Sequence, residues 1–150
     1  MTLSIHIAAP RQSAQILEFL RGMHEEVGQA PLHDAKALAA IIELTNEGVA
    51  YVVEDDGRIV GSLGLTMFDH WYADAGFLGE LWFYVDPAYR AGGEVVAMLL
   101  GEARDLSERT GQSVYIDHHR PRQRRGLSII ADRLGFVPVS RMLELSAGGH

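Results

Sequence analysis

The stretch from residue 77 to residue 109 constrains the fold more than any other part of the chain. An apolar strand is predicted over residues 77–85 and stops at Asp86-Pro87, because proline cannot donate to a sheet ladder. The pair Gly92-Gly93 then opens a long helix with apolar residues at helical spacing, which reaches about Arg109. A strand that turns sharply into a long amphipathic helix is typical of layered α/β folds.

The same periodicity divides the rest of the chain into helices and strands. Further strands are expected at Leu3–Ile7 and over residues 51–53, 59–65, 114–116 and 142–145. Further helices are expected from Ser13 to Gly22, from the N-cap Asp34 to residues 46–48, and over residues 127–134. The polar residues 24–31 are expected to form a loop. The order β-α-α-β-β-β-α-β-α-β predicts one mixed α/β domain over residues 1–150.

Composition and charge exclude several classes of protein. The 150-residue chain carries a formal charge of −7, which argues against a sequence-independent nucleic-acid binder. Its lack of cysteine excludes disulfides, thiolate nucleophiles and thiolate metal sites. Lys36 is its only lysine, and no glycine-rich loop precedes it, which excludes a P-loop. With no apolar run of about 18 residues and no recognisable signal peptide, we expect a cytoplasmic protein without a membrane partner.

The glycine pair at the start of the long helix points to an anion site. Glycines let a ligand approach the backbone closely, and the unpaired N–H groups and dipole of a first helical turn favour a phosphate. Arg90 adds a positive charge at the same place. The alternative is that Gly92 and Gly93 only make a tight turn between strand and helix.

Three segments together resemble the GNAT superfamily of acyl-CoA N-acyltransferases, over nearly the whole chain. The first is the signature-like stretch Val85-Asp86-Pro87-Ala88-Tyr89-Arg90-Ala91-Gly92-Gly93-Glu94-Val95. The others are the hairpin sequence over residues 56–61 and the closing Leu134-Gly135-Phe136. The order of the predicted elements is also similar to that of this family.

The resemblance implies both a fold and a cofactor. The fold would be a GNAT-like α/β (α+β) domain, with a mixed, mostly antiparallel sheet flanked by helices and splayed between two central strands. The cosubstrate would be acetyl-CoA, with no metal. The pantetheine arm would contact the strand backbone at Phe83, Tyr84 and Val85, and the pyrophosphate would bind backbone N–H groups of Arg90, Ala91, Gly92, Gly93, Glu94 and Val95.

The sequence departs from the family pattern at two positions. Val95 occupies a place that is usually Gly or Ala, and we expect its side chain to crowd the helix start and weaken cofactor binding. Ala131 stands where the family often has a tyrosine that protonates the departing thiolate. Water, Tyr84 or Tyr115 are alternatives for that role, and the sequence does not choose between them.

Glu80 is the candidate general base. Simple alternation along the strand places Glu80, Trp82 and Tyr84 on one face. A carboxylate in an otherwise apolar strand is expected to have a raised pKa, as deprotonation of an ammonium substrate requires. The alternative is that Glu80 is a structural partner for a buried arginine or a backbone group.

Four other groups have open interpretations. The arginine-rich residues 120–125 would bind an acidic acceptor or the 3′-phosphate of CoA, or form a solvated basic face. His118 and His119 are neighbours on a predicted strand end and so point apart, which disfavours a shared metal. Acceptor binding by a histidine, or an ordinary exposed strand end, are the alternatives. Residues 24–26 and 69–72 would flank an acceptor cleft and suit a cationic amine; Trp71 and Tyr72 would equally serve as a lid on the core or a dimer contact.

The leading hypothesis is an N-acetyltransferase that moves an acetyl or other acyl group from acetyl-CoA directly to a primary amine. The acceptor would be a small molecule or a peptide amine, and a homodimer is compatible with the resemblance. The alternative is a catalytically weak or inactive GNAT-fold binding or regulatory module that still binds CoA. A weaker alternative is an interaction protein that has lost the cofactor as well.

Overall fold

The computed structural model describes residues 2–117, 121–139, 143, 145 and 147, with the side chains of residues 121–126 left undescribed. Strands and helices follow in the order β1 (Leu3–Ile7), α1 (Ser13–Val27), α2 (Asp34–Glu47), β2 (Ala50–Asp55), β3 (Arg58–Asp69), β4 (Gly76–Val85), α3 (Glu94–Thr110), β5 (Val114–Tyr115) and α4 (Pro121–Arg133). This confirms the predicted order as far as α4. The predicted strand over residues 142–145 lies outside the described residues, apart from Leu143 and Leu145.

The strands form a mixed sheet in the order β1-β2-β3-β4-β5. All neighbours are antiparallel except β4 and β5, which are parallel. The predicted hairpin between β2 and β3 is confirmed: Asp56 and Gly57 both have positive φ angles, 49° and 80°, as a two-residue turn between twisted strands favours. The mostly antiparallel sheet that the resemblance implied is therefore present.

Helices cover both faces of the sheet and bury two apolar clusters. On one face, α1 and α2 pack against the sheet through residues such as Ile16, Leu44 and Trp82. On the other face, α3 buries Val95 and Leu99 among apolar side chains of β2, β3 and β4. Within the described part of the chain, no helix has the length and apolar character needed to cross a membrane.

The first helix is longer than the sequence predicts. It does not end at Gly22 but continues to Val27, so the first residues of the predicted loop 24–31 are helical. Packing explains the glycine: a Cβ on Gly22 would lie 3.2 Å from the Tyr84 hydroxyl oxygen. Gly22 therefore makes room for Tyr84 within the helix and does not mark a helix end.

The N-cap of α2 also differs from the prediction. The capping side chain is that of His33, whose Nδ1 accepts a hydrogen bond from the Lys36 N–H (3.1 Å). Asp34 instead accepts two hydrogen bonds from the guanidinium of Arg21 on α1, at 3.1 and 2.8 Å. Sequence alone does not show which of two adjacent polar residues caps a helix, because both are compatible with the helix start.

Candidate active site

The sheet opens between β4 and β5. These strands pair only at Leu78 with Val114 and at Gly79 with Tyr115, so the described residues of β4 beyond Gly79 have no strand partner on that edge. The opening corresponds to the splay that the resemblance implied.

Along β4, the backbone N–H and C=O groups of every second residue point toward this opening, and those of the residues between them point toward β3. The Asp86 N–H donates to the Val60 carbonyl on β3 (2.9 Å), so the N–H and C=O groups of Val85 and Phe83 point away from β3. The backbones of Phe83 and Val85 therefore face the opening; the cofactor contacts that the resemblance implies there remain a prediction. Tyr84 was included in that prediction, but its backbone points toward β3 and its ring is buried on the face covered by α1 and α2.

A cleft of about 290 Å³ lies where the end of β4, the start of α3 and helix α4 meet. Its walls are apolar, with an arginine from each side, and they are formed by Phe83, Val85, Arg90, Gly92, Gly93, Val96, Leu127, Ile129, Ile130 and Arg133. The cleft thus brings together five of the residues that the sequence assigns to cofactor binding.

The start of α3 presents free N–H groups at this cleft. The first helical hydrogen bond runs from the Ala97 N–H to the Gly93 carbonyl (2.9 Å), which leaves the N–H groups of Glu94, Val95 and Val96 without a partner inside the helix. Gly92 and Gly93 have φ angles of 82° and 71°, a conformation that favours glycine. A Cβ on Gly92 would meet open space, whereas one on Gly93 would collide with Ile130 of α4.

Val95 does not crowd this helix start, so that expectation is wrong. Its side chain is only 1% exposed and lies in the core below α3. A Cβ on Gly61 of β3 would lie 2.5 Å from Val95 Cγ1, so the glycine in the strand makes room for the valine. Only the backbone of Val95 belongs to the helix start. The valine side chain, although larger than the usual Gly or Ala, points into the core and leaves the cleft open.

The side chain of Arg90 is held by three groups. Its Nε donates to the Val85 carbonyl (2.9 Å), its Nη2 contacts both carboxylate oxygens of Glu26 (3.0 and 3.2 Å), and its Cζ lies 5.3 Å from the centre of the Tyr84 ring. The predicted positive charge is present at the cleft, but it is paired with a carboxylate from α1. Because Glu26 is in this pair, it is not an open acceptor-binding carboxylate of a loop, as the sequence suggested.

Glu80 lies on the opposite face of the sheet from Trp82 and Tyr84, and the predicted alternation is wrong here. The register shifts between Gly64 and Leu65, so Leu65 pairs with Glu80 while Gly64 pairs with Trp82. Leu81 is the extra residue of a β-bulge, and a bulge reverses the faces on either side of it. Directly paired residues share a face, which places Glu80 with Leu65 on the side of α3.

The carboxyl group of Glu80 is buried at the point where β4 and β5 separate. Its Oε1 has no hydrogen-bond partner among the described residues. Burial raises the pKa of Glu80 to about 8; the nearby Asp117 carboxylate raises it further, and a backbone hydrogen bond from Asp117 acts in the opposite direction. No arginine of the described residues forms an ion pair with it, so the alternative role as an arginine partner has no support in that part of the chain. The other form of that alternative, a backbone partner, is supported by the hydrogen bond from Asp117.

Neither alternative tyrosine lines the cleft. The Tyr84 hydroxyl donates to Glu26 (2.7 Å). Burial, and to a smaller extent this hydrogen bond, raise the pKa of Tyr84 to about 12. Tyr115 is 41% exposed and its ring packs edge-on against Phe77 at 5.0 Å. Ala131 lies on α4 as expected and has no hydroxyl.

The loop after β3 exposes its aromatic side chains. Trp71 is 94% exposed and Tyr72 is 69% exposed, so neither is a lid on the core. Their rings contact each other edge-on at 5.6 Å, and the His70 ring lies 4.9 Å from Phe77. The acceptor-binding and dimer-contact interpretations of this loop remain predictions.

Two predicted groups cannot be placed. His118, His119 and Arg120 lie outside the described residues, as do the side chains of residues 121–126, so the structure does not test the predictions about the histidine pair and the arginine-rich run.

Comparison with known families decides the classification. Residues 14–120, more than two thirds of the chain, match the model of the acetyltransferase (GNAT) family. The chain belongs to the GNAT family. No curated protein sequence matches this GNAT chain.

Solved structures with the same fold are distant in sequence. A predicted acetyltransferase from Clostridium acetobutylicum, solved with acetyl-CoA, has a TM-score of 0.74 and 12% identity, with 97% of this GNAT chain and 96% of that chain covered. An aminoglycoside acetyltransferase from an uncultured soil metagenomic sample, in complex with sisomicin, has a TM-score of 0.70 and 14% identity over 99% and 97% of the two chains. A Trypanosoma brucei acetyltransferase has a TM-score of 0.67 and 22% identity over 97% and 100%. At these identities the likeness establishes the fold.

Proposed function

We propose that this GNAT protein is an N-acetyltransferase that uses acetyl-CoA to acetylate a small-molecule amine. The observation that carries the proposal is the position of Glu80. A buried carboxyl with a raised pKa sits where β4 separates from β5. The edge of β4 that is left without a strand partner runs from there to the cleft at the glycine-lined helix start, and Glu80 itself does not line that cleft. Family membership supports acyl transfer as the reaction class.

The cleft suits a ligand that combines a diphosphate with an amide-containing arm. The free N–H groups of residues 94–96 would hold the diphosphate, and the open space at Gly92 permits close approach. The Phe83 backbone and the Val85 N–H, which point away from β3, would hydrogen-bond the pantetheine amides, as a strand partner does. The Val85 carbonyl already accepts a hydrogen bond from Arg90 Nε. When bound, acetyl-CoA supplies the acyl thioester that the amine attacks.

Glu80 would prepare the amine for attack. An aliphatic amine is protonated near pH 7, and it becomes a nucleophile only when its ammonium loses a proton. The Glu80 carboxylate would take this proton, and a pKa near 8 is matched to that task at neutral to mildly basic pH. Since Glu80 must be ionised to act, we expect kcat/KM to rise with pH and to level off above about pH 8.

The departing thiolate would be protonated by water. Ala131 has no hydroxyl, and the Tyr84 hydroxyl is already donated to Glu26 on the far face of the sheet. No tyrosine lines the cleft among the described residues.

The acceptor would be a cationic amine. The exposed loop after β3 carries aromatic rings and the carboxylate of Asp74, next to the carboxylate of Asp69 at the end of β3, and this combination favours ammonium groups. Fold relatives that are aminoglycoside acetyltransferases give further support to a small-molecule amine. A peptide amine and a homodimeric assembly remain alternatives, and the cytoplasmic location remains a prediction of the cysteine-free sequence.

Replacement of Glu80 tests the proposed reaction. Thiol release from acetyl-CoA would be measured across a panel of amines for the wild type, Glu80→Gln and the control Glu43→Gln, which removes an exposed carboxylate from α2. We expect Glu80→Gln to lower kcat by about 10²–10⁴ and to remove the levelling of kcat/KM near pH 8, because the rate then follows the fraction of amine that is already unprotonated in solution. Glu43→Gln should match the wild type. An unchanged pH profile in Glu80→Gln would remove Glu80 from the mechanism.

The second candidate function is a binding module that keeps the cofactor without efficient chemistry. The observation that favours it is the absence of a hydroxyl at Ala131. It predicts that CoA and acetyl-CoA bind while no amine of the panel accelerates thiol release.

A further inference from the structure

Helix α1 contributes a carboxylate to the edge of the cofactor cleft. Glu26 lies in the last turn of α1, 64 residues before Arg90 in the chain, and its two oxygens lie 3.0 and 3.2 Å from Arg90 Nη2. The Tyr84 hydroxyl donates to the same carboxylate at 2.7 Å. We refer to Glu26, Tyr84 and Arg90 as the clasp.

The clasp holds the Arg90 side chain in place and pairs it with a carboxylate. The guanidinium lies over the Tyr84 ring at 5.3 Å, and its Nε is held by the Val85 carbonyl at 2.9 Å. Arg90 nevertheless lines the cleft together with Gly92 and Gly93. Arg90, which adjoins the glycine-lined helix start, is therefore turned toward a carboxylate from another element.

An anion in the cleft would compete with Glu26 for this guanidinium. Arg90 and Glu26 are partly exposed, with 25% and 34% of their side chains accessible, so the pair is not locked in by burial. Guanidinium groups bind phosphate and carboxylate through the same planar arrangement of donors. The negative charge of Glu26 also opposes the approach of a diphosphate by direct repulsion.

We propose that Glu26 is a positioning residue that restrains Arg90 and thereby weakens the hold of the cleft on CoA. With Arg90 in the clasp, the backbone N–H groups at the start of α3 carry most of the diphosphate binding. The restraint favours release of the CoA product after each turnover. This inference rests on the proposed function, because it concerns the same cleft.

Binding measurements on a charge-neutral variant test the restraint. The dissociation constants of CoA and acetyl-CoA would be measured by titration calorimetry for the wild type, Glu26→Gln and the matched control Glu25→Gln. The control removes the same charge from the neighbouring exposed residue of α1. We expect Glu26→Gln to bind CoA about three- to tenfold more tightly and Glu25→Gln to stay within about twofold of the wild type.

Two further measurements separate the restraint from a general structural effect. The gain in Glu26→Gln should shrink at high salt, because the released Arg90 acts through a partly exposed charge that salt screens. It should also disappear in the double variant Glu26→Gln/Arg90→Gln, since the gain requires the guanidinium. A thermal melt of each variant confirms that it is folded.

The outcomes discriminate between this inference and the proposed function. Equal or weaker CoA binding by Glu26→Gln, with the wild type still binding CoA, would overturn the restraint alone. Persistence of the gain in the double variant would also overturn it. A wild type that binds neither CoA nor acetyl-CoA would overturn the proposed function and this inference together.

Discussion

A carboxyl group buried as deeply as that of Glu80 makes the stability of the protein depend on pH. Its pKa is raised from 4.5 to about 8 in the folded state, mainly by burial. The folded protein therefore holds this proton more tightly than the unfolded chain does. The resulting stabilisation is fully present below about pH 4.5 and is lost as the pH rises through 8, on the order of 5 kcal/mol in all.

Unfolding at several pH values measures this contribution. We expect the difference in unfolding free energy between the wild type and Glu80→Gln to change by a few kcal/mol between pH 5 and about pH 9, in favour of the variant at high pH. The physical reason is that the amide remains neutral, whereas the carboxyl group must ionise in an apolar site. Urea titrations across this range give the result, and a difference that is constant with pH would contradict the raised pKa.

At the scale of elements, two glycines contribute to stability in opposite directions. Gly64 on β3 faces the Trp82 ring, and a Cβ there would lie 2.5 Å from Trp82 Cε2. Gly101 lies inside α3, where a Cβ would meet nothing within 4 Å. The first glycine is required by packing between β3 and β4, and the second only lowers the helix propensity of α3.

Alanine substitutions should therefore change stability in opposite directions. We expect Gly64→Ala to cost about 1–3 kcal/mol through overpacking against Trp82. We expect Gly101→Ala to stabilise the protein by about 0.5–1 kcal/mol, because alanine loses less conformational entropy in a helix. Urea denaturation gives the free energy of unfolding of both variants. A Gly64→Ala protein as stable as the wild type would contradict the packing argument and show that the Trp82 ring has room to move.

The elements were largely predictable because hydrophobic periodicity and turn residues mark them directly. The helix after Gly93 and the hairpin turn at Asp56 and Gly57 are of this kind. The bulge at Leu81 was not predictable, since it depends on how β3 pairs with β4. The end of α1 was missed for a related reason: Gly22 is a packing position beneath Tyr84, and local sequence does not distinguish it from a helix terminus.

At the scale of the whole molecule, the site is assembled from segments far apart in the chain. The strand-turn-helix around Gly92 and Gly93 was predictable, because its residues are contiguous. The orientation of Val95 toward Gly61 and the pairing of Glu26 with Arg90 were not, because each joins distant elements. Sequence therefore indicated which residues form the glycine-lined helix start, while the structure determines which groups surround them.

The same assembly places two groups with proposed functions on one strand. The end of β4 borders the glycine-lined start of α3, and Glu80 lies where β4 separates from β5. A ligand bound along the free edge of β4 would extend from one to the other. The account therefore depends on whether this cleft binds acetyl-CoA.

A thermal melt with acetyl-CoA, with CoA and with ATP as a phosphate-bearing control tests this most directly. Ligand at about 100 times its Kd should stabilise the protein by about 2.7 kcal/mol, a rise in Tm of roughly 5–10 °C for a domain of this size. We predict this rise with acetyl-CoA and with CoA but not with ATP. If neither acetyl-CoA nor CoA raises the Tm at millimolar concentration, both the assignment of the cleft as the cofactor site and the proposed acetyltransferase function are contradicted.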